Sequence, residues 1–173
     1  MACALTQGYL QDCRDGFGGV KSVYVMEIGN ATTITEALGV VTGITKVATK
    51  KFFKYSLVAH TAEGEEALTA SRENGTIMNK QTVKFPINKM TTAVRNELLL
   101  LAANRLLIVI VDENGKGWLY GREYGMMIET VSAKTGKALG DRNGYELQFG
   151  SDEKTLAPEV DAATIATLET AGV

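Results

Sequence analysis

The sequence predicts a mainly β protein: a β-sandwich or partial barrel, mostly antiparallel, with one packed α-helix and a long β-hairpin arm. Three observations carry this reading. Short runs rich in Val, Ile, Thr and aromatic residues recur along the chain, and several alternate apolar with polar positions. Only residues 91–104 show sustained helical periodicity over several turns. Strands and helices do not alternate in the rhythm that builds a parallel sheet. With 173 residues, 45% apolar and 22% charged, the chain reads as a single domain over 1–173 that can bury a core.

In chain order, residues 1–19 form a leader that ends in the turn-rich run Asp15-Gly16-Phe17-Gly18-Gly19. Residues 20–28, VKSVYVMEI, read as a strand that Gly29-Asn30 breaks, and a short strand or loop follows at 32–36. Residues 39–49 are rich in Val, Ile and Thr and form the next strand. Residues 51–60 alternate, with Phe53, Tyr55, Leu57 and Ala59 on one face and Lys54, Ser56 and His60 on the other, while Phe52 and Val58 interrupt the polar side. A mostly polar excursion then covers 61–80, longer than compact domains usually leave without structure. Residues 82–88 alternate through Val83, Phe85 and Ile87, and Pro86 predicts an edge position.

The central stretch is 91–125. Val94, Leu98, Leu101 and Ala102 fall at i, i+4, i+7 and i+8, so they form one apolar face of a helix. Thr91 or Thr92 can cap its start, and Asn104 is expected to end it in a left-handed conformation. LLIVIV at 106–111 is apolar on both faces, as a strand covered on both sides should be, by the helix on one face and a second sheet on the other. Asn114-Gly115 marks a hairpin turn into a return strand from Trp118 to Arg122. Residues 126–133 read as a strand and 135–143 as a loop, followed by a strand alternating through Tyr145, Leu147 and Phe149. In the C-terminal segment, 155–173, Pro158 is expected to end the ordered pattern, with a short helix over 161–169. That makes seven or eight strands.

Function classes narrow from here. A formal net charge of −2 gives no support for a protein held to nucleic acid by phosphate neutralisation. The longest apolar run, 98–103, is too short to span a bilayer. The first residues carry neither a basic nor a long apolar region of a secretion signal, so Cys3 and Cys13 are expected to be reduced thiols without a catalytic role, a disulfide between them being the alternative. Gly16-Phe17-Gly18-Gly19-Val20-Lys21-Ser22 fails the phosphate-loop pattern, because Val20 stands where the second Gly belongs and a strand follows instead of a helix. His60 is the single histidine and has no nucleophile motif beside it. Glu65 and Glu66 are adjacent, so an extended chain points them to opposite faces and a solvated loop explains them. Asp112-Glu113-Asn114-Gly115 lacks the twelve-residue spacing of a calcium loop. Phe52, Phe53 and Tyr55 among Lys50, Lys51 and Lys54 could stack single-stranded nucleic acid, although strand packing is the simpler reading. No catalytic residue, metal ligand or cofactor is expected, and the chain reads as a protein whose job is assembly.

Four stretches carry a resemblance: ACALTQGYLQDCRDGFGGVKSVYV; the polar excursion between KKFFKYSLVAH and TVKFPINKM; the helix followed at once by RLLIVIVDENGKGWLYGREYGM; and TGKALGDRNGYELQFGSDEKTLAPEV. In their order the chain resembles the bacteriophage tail tube (major tail) proteins. That resemblance implies a virion structural protein of the phage tail, made in the host bacterial cytoplasm. Its subunits would self-assemble into hexameric rings stacked into a tube for DNA passage, with a hairpin reaching the neighbouring ring. The implied partners are further copies of the chain, a tape measure protein and a terminator, with DNA in transit only and no membrane. On this reading 61–80 is the inter-ring arm. Glu63, Glu65, Glu66 and Glu73 against Arg72 give it a local charge of −3, and the complementary basic patch is Lys46, Lys50, Lys51 and Lys54, a local charge of +4. A capsid-surface or head–tail connector protein, or a small ligand-binding or enzymatic β domain, remains open.

Overall fold

The computed structural model describes residues 8–9 and 14–172; Cys3 and Cys13 lie outside them. The chain folds as β1 (Val20–Glu27), β2 (Ala31–Ala37), β3 (Val40–Lys46), β4 (Phe53–Tyr55), β5 (Glu63–Ser71), β6 (Thr76–Asn88), α1 (Thr92–Ala103), β7 (Leu106–Asp112), β8 (Gly117–Tyr120), β9 (Met127–Lys134), β10 (Gly144–Glu153), β11 (Glu159–Val160) and α2 (Ala162–Thr167). Two sheets result, one of seven strands in the order β2-β3-β11-β8-β7-β1-β4 and one of four in the order β5-β6-β10-β9. Among the named strands pairing is antiparallel except between β11 and β3, and an isolated bridge between Ala48 and Gly172 is also parallel. This is the mainly β, sandwich-like architecture expected.

β7 lies inside the larger sheet, between β8 and β1, and its two faces feed two cores. Leu106, Ile108 and Ile110 join Val83, Phe85, Leu147 and Phe149 of the smaller sheet, together with Leu98 and Leu101 of α1. Leu107, Val109 and Val111 join Val41, Phe52, Val160 and Leu168. The strand is covered on both sides, as its apolar run implies. The covering differs from expectation, because α1 and the second sheet share one face and the C-terminal segment with Phe52 covers the other. At the turn after β7, Asp112 Oδ1 accepts from the backbone N–H of Asn114 at 2.9 Å and of Lys116 at 2.8 Å, and Gly115 takes φ +80°. The leader is tied to this turn, since Asn114 both accepts from Phe17 N at 2.9 Å and donates to Phe17 O at 2.8 Å.

α1 starts as the sequence predicts: Thr91 Oγ1 accepts from Val94 N at 3.2 Å. Two details of the helix need correction. Ala102 is exposed, so the buried stripe is Leu98 and Leu101 with Val94 partly covered. Asn104 is extended, with φ −114° and ψ 156°, and ends the helix by donating its side-chain amide to Leu100 O. Pro86 is locally at an edge: β5 stops pairing with β6 at Lys84, which leaves the Pro86 position free on that side.

The strands number eleven among the described residues. Of 51–60 only Phe53–Tyr55 is strand. Tyr55 and Leu57 pack against the core and Lys54 and Ser56 are exposed, as the alternation implies, but Phe53 is 55% exposed and Phe52 is 1% exposed in the second core. The excursion at 61–80 is most of a paired hairpin, the expected β-hairpin arm. Order also continues past Pro158 into β11 and α2, where Asp161 caps the helix by accepting from Thr164 N at 2.6 Å.

Candidate assembly surfaces

The β5–β6 hairpin is paired from Glu63 opposite Lys84 to Ser71 opposite Thr76. β10 accompanies β6 only from Asn88 to Asn79. Beyond that point residues 68–78 have no third strand beside them and form the free arm. The inward phase of the hairpin runs through Gly64, Glu66, Leu68 and Ala70 on β5 and Ile77, Asn79, Gln81 and Val83 on β6. At the base this phase is buried. A side chain at Gly64 would place its Cβ 2.7 Å from Ile110 Cδ1 and from the Tyr120 hydroxyl, so glycine lets β5 cross the core closely. Along the arm the same phase runs out of body to pack on. Leu68 is 56% exposed and Ile77 64%, and the neighbouring Met78 is 44% exposed.

Glu66 fastens the arm's base. Its Oε1 accepts from Asn79 Nδ2 at 2.7 Å, Gln81 Nε2 at 2.9 Å and Ala157 N at 2.8 Å. Gln81 Oε1 in turn accepts from Gly121 N at 2.9 Å, and buried Glu153 accepts from the backbone N–H of Glu123 and Tyr124. A buried amide needs such partners, and these bonds tie the hairpin to the 121–125 turn and to the C-terminal segment, and that turn to β10. Among the buried side-chain polar atoms of the described residues, Asn79 Oδ1 alone is left without a partner.

The charges proposed for docking are thus dispersed. Glu66 is internal, and Glu63 is neutralised by Lys84 at 2.7 Å. Glu65 is opposite Thr82 on the outward phase, and Arg72 and Glu73 occupy the turn; none of these three forms an ion pair among the described residues. In the basic segment, Lys46 donates to the carbonyls of Thr167 at 2.6 Å, Leu168 at 3.3 Å and Thr170 at 2.7 Å, so it closes the C-terminal end of α2. Partial burial holds its ammonium below the usual lysine value. Lys54 lies 5.6 Å from the centroid of the Tyr24 ring. Lys50 and Lys51 are exposed.

The outer face of the four-stranded sheet is polar, carrying Lys84, Glu146, Gln148, Thr130 and Ser132 around a shallow depression of about 450 Å³ that also includes His60 and Arg142. Its charges are matched: Glu146 meets Lys134 at 2.7 Å and Arg142 at 3.3 Å, and Lys80 meets Glu129 at 3.4 Å. The Lys134 hydrogen bond and charge hold the Glu146 carboxyl below its usual range. Of the hydroxyls that line the depression, Thr61 Oγ1 donates to Val58 O at 2.6 Å. Among the described residues no group of three or more His, Cys, Asp or Glu side chains could hold a metal ion, and no helix is long and apolar enough to cross a membrane.

One feature escapes the sequence. A groove of about 190 Å³ runs between α1 and β4, floored by Val25, Leu101 and Leu106 and rimmed by Phe53, Leu100 and Glu97. The signal for it is the second pair of leucines in Leu98-Leu99-Leu100-Leu101: only Leu98 and Leu101 fit the buried stripe, so Leu99 and Leu100 must face outward.

Comparison with family models, curated proteins and solved structures found no match to this chain.

Proposed function

We propose that the protein is a structural subunit that assembles with copies of itself, and that the assembly is the stacked-ring tube of a phage tail. The observation that carries the self-assembly reading is the free arm. A hairpin standing clear of its own fold, with Leu68, Ile77 and Met78 exposed, leaves apolar surface that a partner must cover. Open sheet edges point the same way: β5 and β9 border the small sheet, β2 and β4 the large one. The tube reading adds the resemblance in the order of the chain's parts. The polar, charge-matched outer face of the small sheet is chemically suited to a water-filled passage, since paired charges grip phosphate weakly.

Electron microscopy and sedimentation of the purified protein test this. Rings or tubes are expected, together with a variant in which residues 69–78 are replaced by Asn-Gly that folds but does not elongate. This cut spares Glu66 and Asn79, whereas a deletion of 63–75 would remove the acceptor that fastens the hairpin. A parent that stays monomeric across concentration and salt, or an arm-shortened variant that forms tubes of normal length, would overturn the proposal.

A further inference from the structure

We infer that the groove between α1 and β4 is the seat for the arm tip of another copy of this chain, an inference that rests on the self-assembly reading above. Three observations lead to it.

The groove is apolar inside and open. Leu101 and Leu106 form its floor, and the exposed rings and methyls of Phe53 and Leu100 form its walls. An apolar cavity of about 150 Å³ takes up a benzene-sized group. A groove of about 190 Å³ is therefore on the scale of aliphatic side chains such as those on the arm. Leu68 and Ile77 sit on the same phase of a two-stranded ribbon, so they project together as a pair of knobs.

The charges correspond. Glu97 stands on the rim and makes no ion pair among the described residues; burial first, and then the nearby charge of Glu97, raises the Tyr55 hydroxyl to about 12. Arg72, at the turn of the arm, likewise makes no ion pair among the described residues. Seating Ile77 in the groove brings a free guanidinium toward a free carboxylate, a pairing with more geometric specificity than a lysine would give.

The wall of the groove is also a sheet edge. β4 pairs only with β1, so the other edge of Phe53–Tyr55 offers unpaired backbone groups to an incoming strand. The arm and the groove are different surfaces of one chain. Their contact is heterologous, and each copy that seats an arm presents its own to the next.

Cross-linking decides the matter. In a Cys3→Ser, Cys13→Ser background, one preparation carries Ile77→Cys and a second Leu100→Cys. Mixed, assembled and oxidised, they should give a disulfide-linked dimer on a non-reducing gel, while Ile77→Cys mixed with Leu139→Cys should not. Leu139 is a fully exposed loop residue away from the groove. Arg72→Glu and Glu97→Arg, each confirmed as folded by its melting curve, should each raise the concentration needed for assembly by about threefold or more, and the double reversal should restore it. Assembled material that gives no Ile77–Leu100 cross-link overturns the seat and leaves the self-assembly reading standing. A double reversal that assembles no better than either single variant overturns the Arg72–Glu97 pairing. A parent that never assembles overturns both readings together.

Discussion

At the scale of single residues, Glu66 shows how a local reading can be right in geometry and wrong in consequence. Adjacent acids on an extended chain do point to opposite faces, and here Glu65 faces out while Glu66 faces in. The inward partners were legible too. The alternation through Val83, Phe85 and Ile87, carried back two steps, puts Gln81 and Asn79 in the core, where two buried amides require an acceptor. What the sequence did not display is which acid, thirteen residues from Asn79, supplies it. Glu66→Ala should cost about 3 kcal/mol in urea unfolding, because it strands buried donors of Asn79, Gln81 and Ala157, whereas Glu66→Gln keeps an acceptor oxygen and should cost less. Tyr120 bears on pH. Burial first, and then the charge of Glu66, pushes its hydroxyl up to about 12 from an ordinary 10.0. Below pH 10 the folded and unfolded chains both hold the proton. Between 10 and 12 only the folded chain does, so this contribution to stability is lost as pH rises through that window. Tyr120→Phe should flatten the fall in melting temperature over that range relative to the parent.

At the scale of elements, periodicity told most where an element packs along its whole length. α1 was legible because cap and stripe agree, and Leu98→Ala or Leu101→Ala should each cost about 2 to 5 kcal/mol by denaturant titration. Exposed Ala102→Ser should change stability by less than about 0.5 kcal/mol, which separates the observed stripe from the four-residue one. At β4 only the Phe pair was misread: Phe52 and Phe53 are the same residue, so no local preference sets which one turns inward. The choice is made from far away: Phe52 N donates to Leu168 O at 3.0 Å, and both side chains join the same core. The hairpin at 61–80 was expected as an arm, but its strand pairing was not legible residue by residue because its strands are polar. Their inward positions are filled by Gly64, Glu66, Asn79 and Gln81, and neither the β-branched nor the alternating apolar signal survives that substitution.

At the scale of the whole molecule, the seven-stranded sheet has a weak seam. β2 and β3 reach the rest of the sheet only through β11, a strand of two residues that pairs with β3 on one side and β8 on the other. No pattern in the sequence announces so short a strand, nor a parallel pairing across more than a hundred residues. The C-terminal segment reinforces the seam. Thr49 N donates to Gly172 O at 3.0 Å, Gly172 N donates to Lys50 O at 2.9 Å, and Lys46 holds three carbonyls at the end of α2. Gly172 is required there, since its Cβ would come within 2.5 Å of Lys46 O. The four-stranded sheet, by contrast, is joined along ten consecutive positions of β10 and β6. Stability should therefore be graded, because regions open locally in proportion to what fastens them. Lys46→Ala removes the donor from carbonyls that fold back over the core and should loosen the seam without touching the other sheet. Native-state hydrogen exchange should show the amides of β2, β3 and α2 opening faster in this variant, while those of β6 and β10 keep the parent's rates. Equal acceleration in both sheets would mean that the molecule opens as one cooperative unit and that the C-terminal segment is no separate fastening.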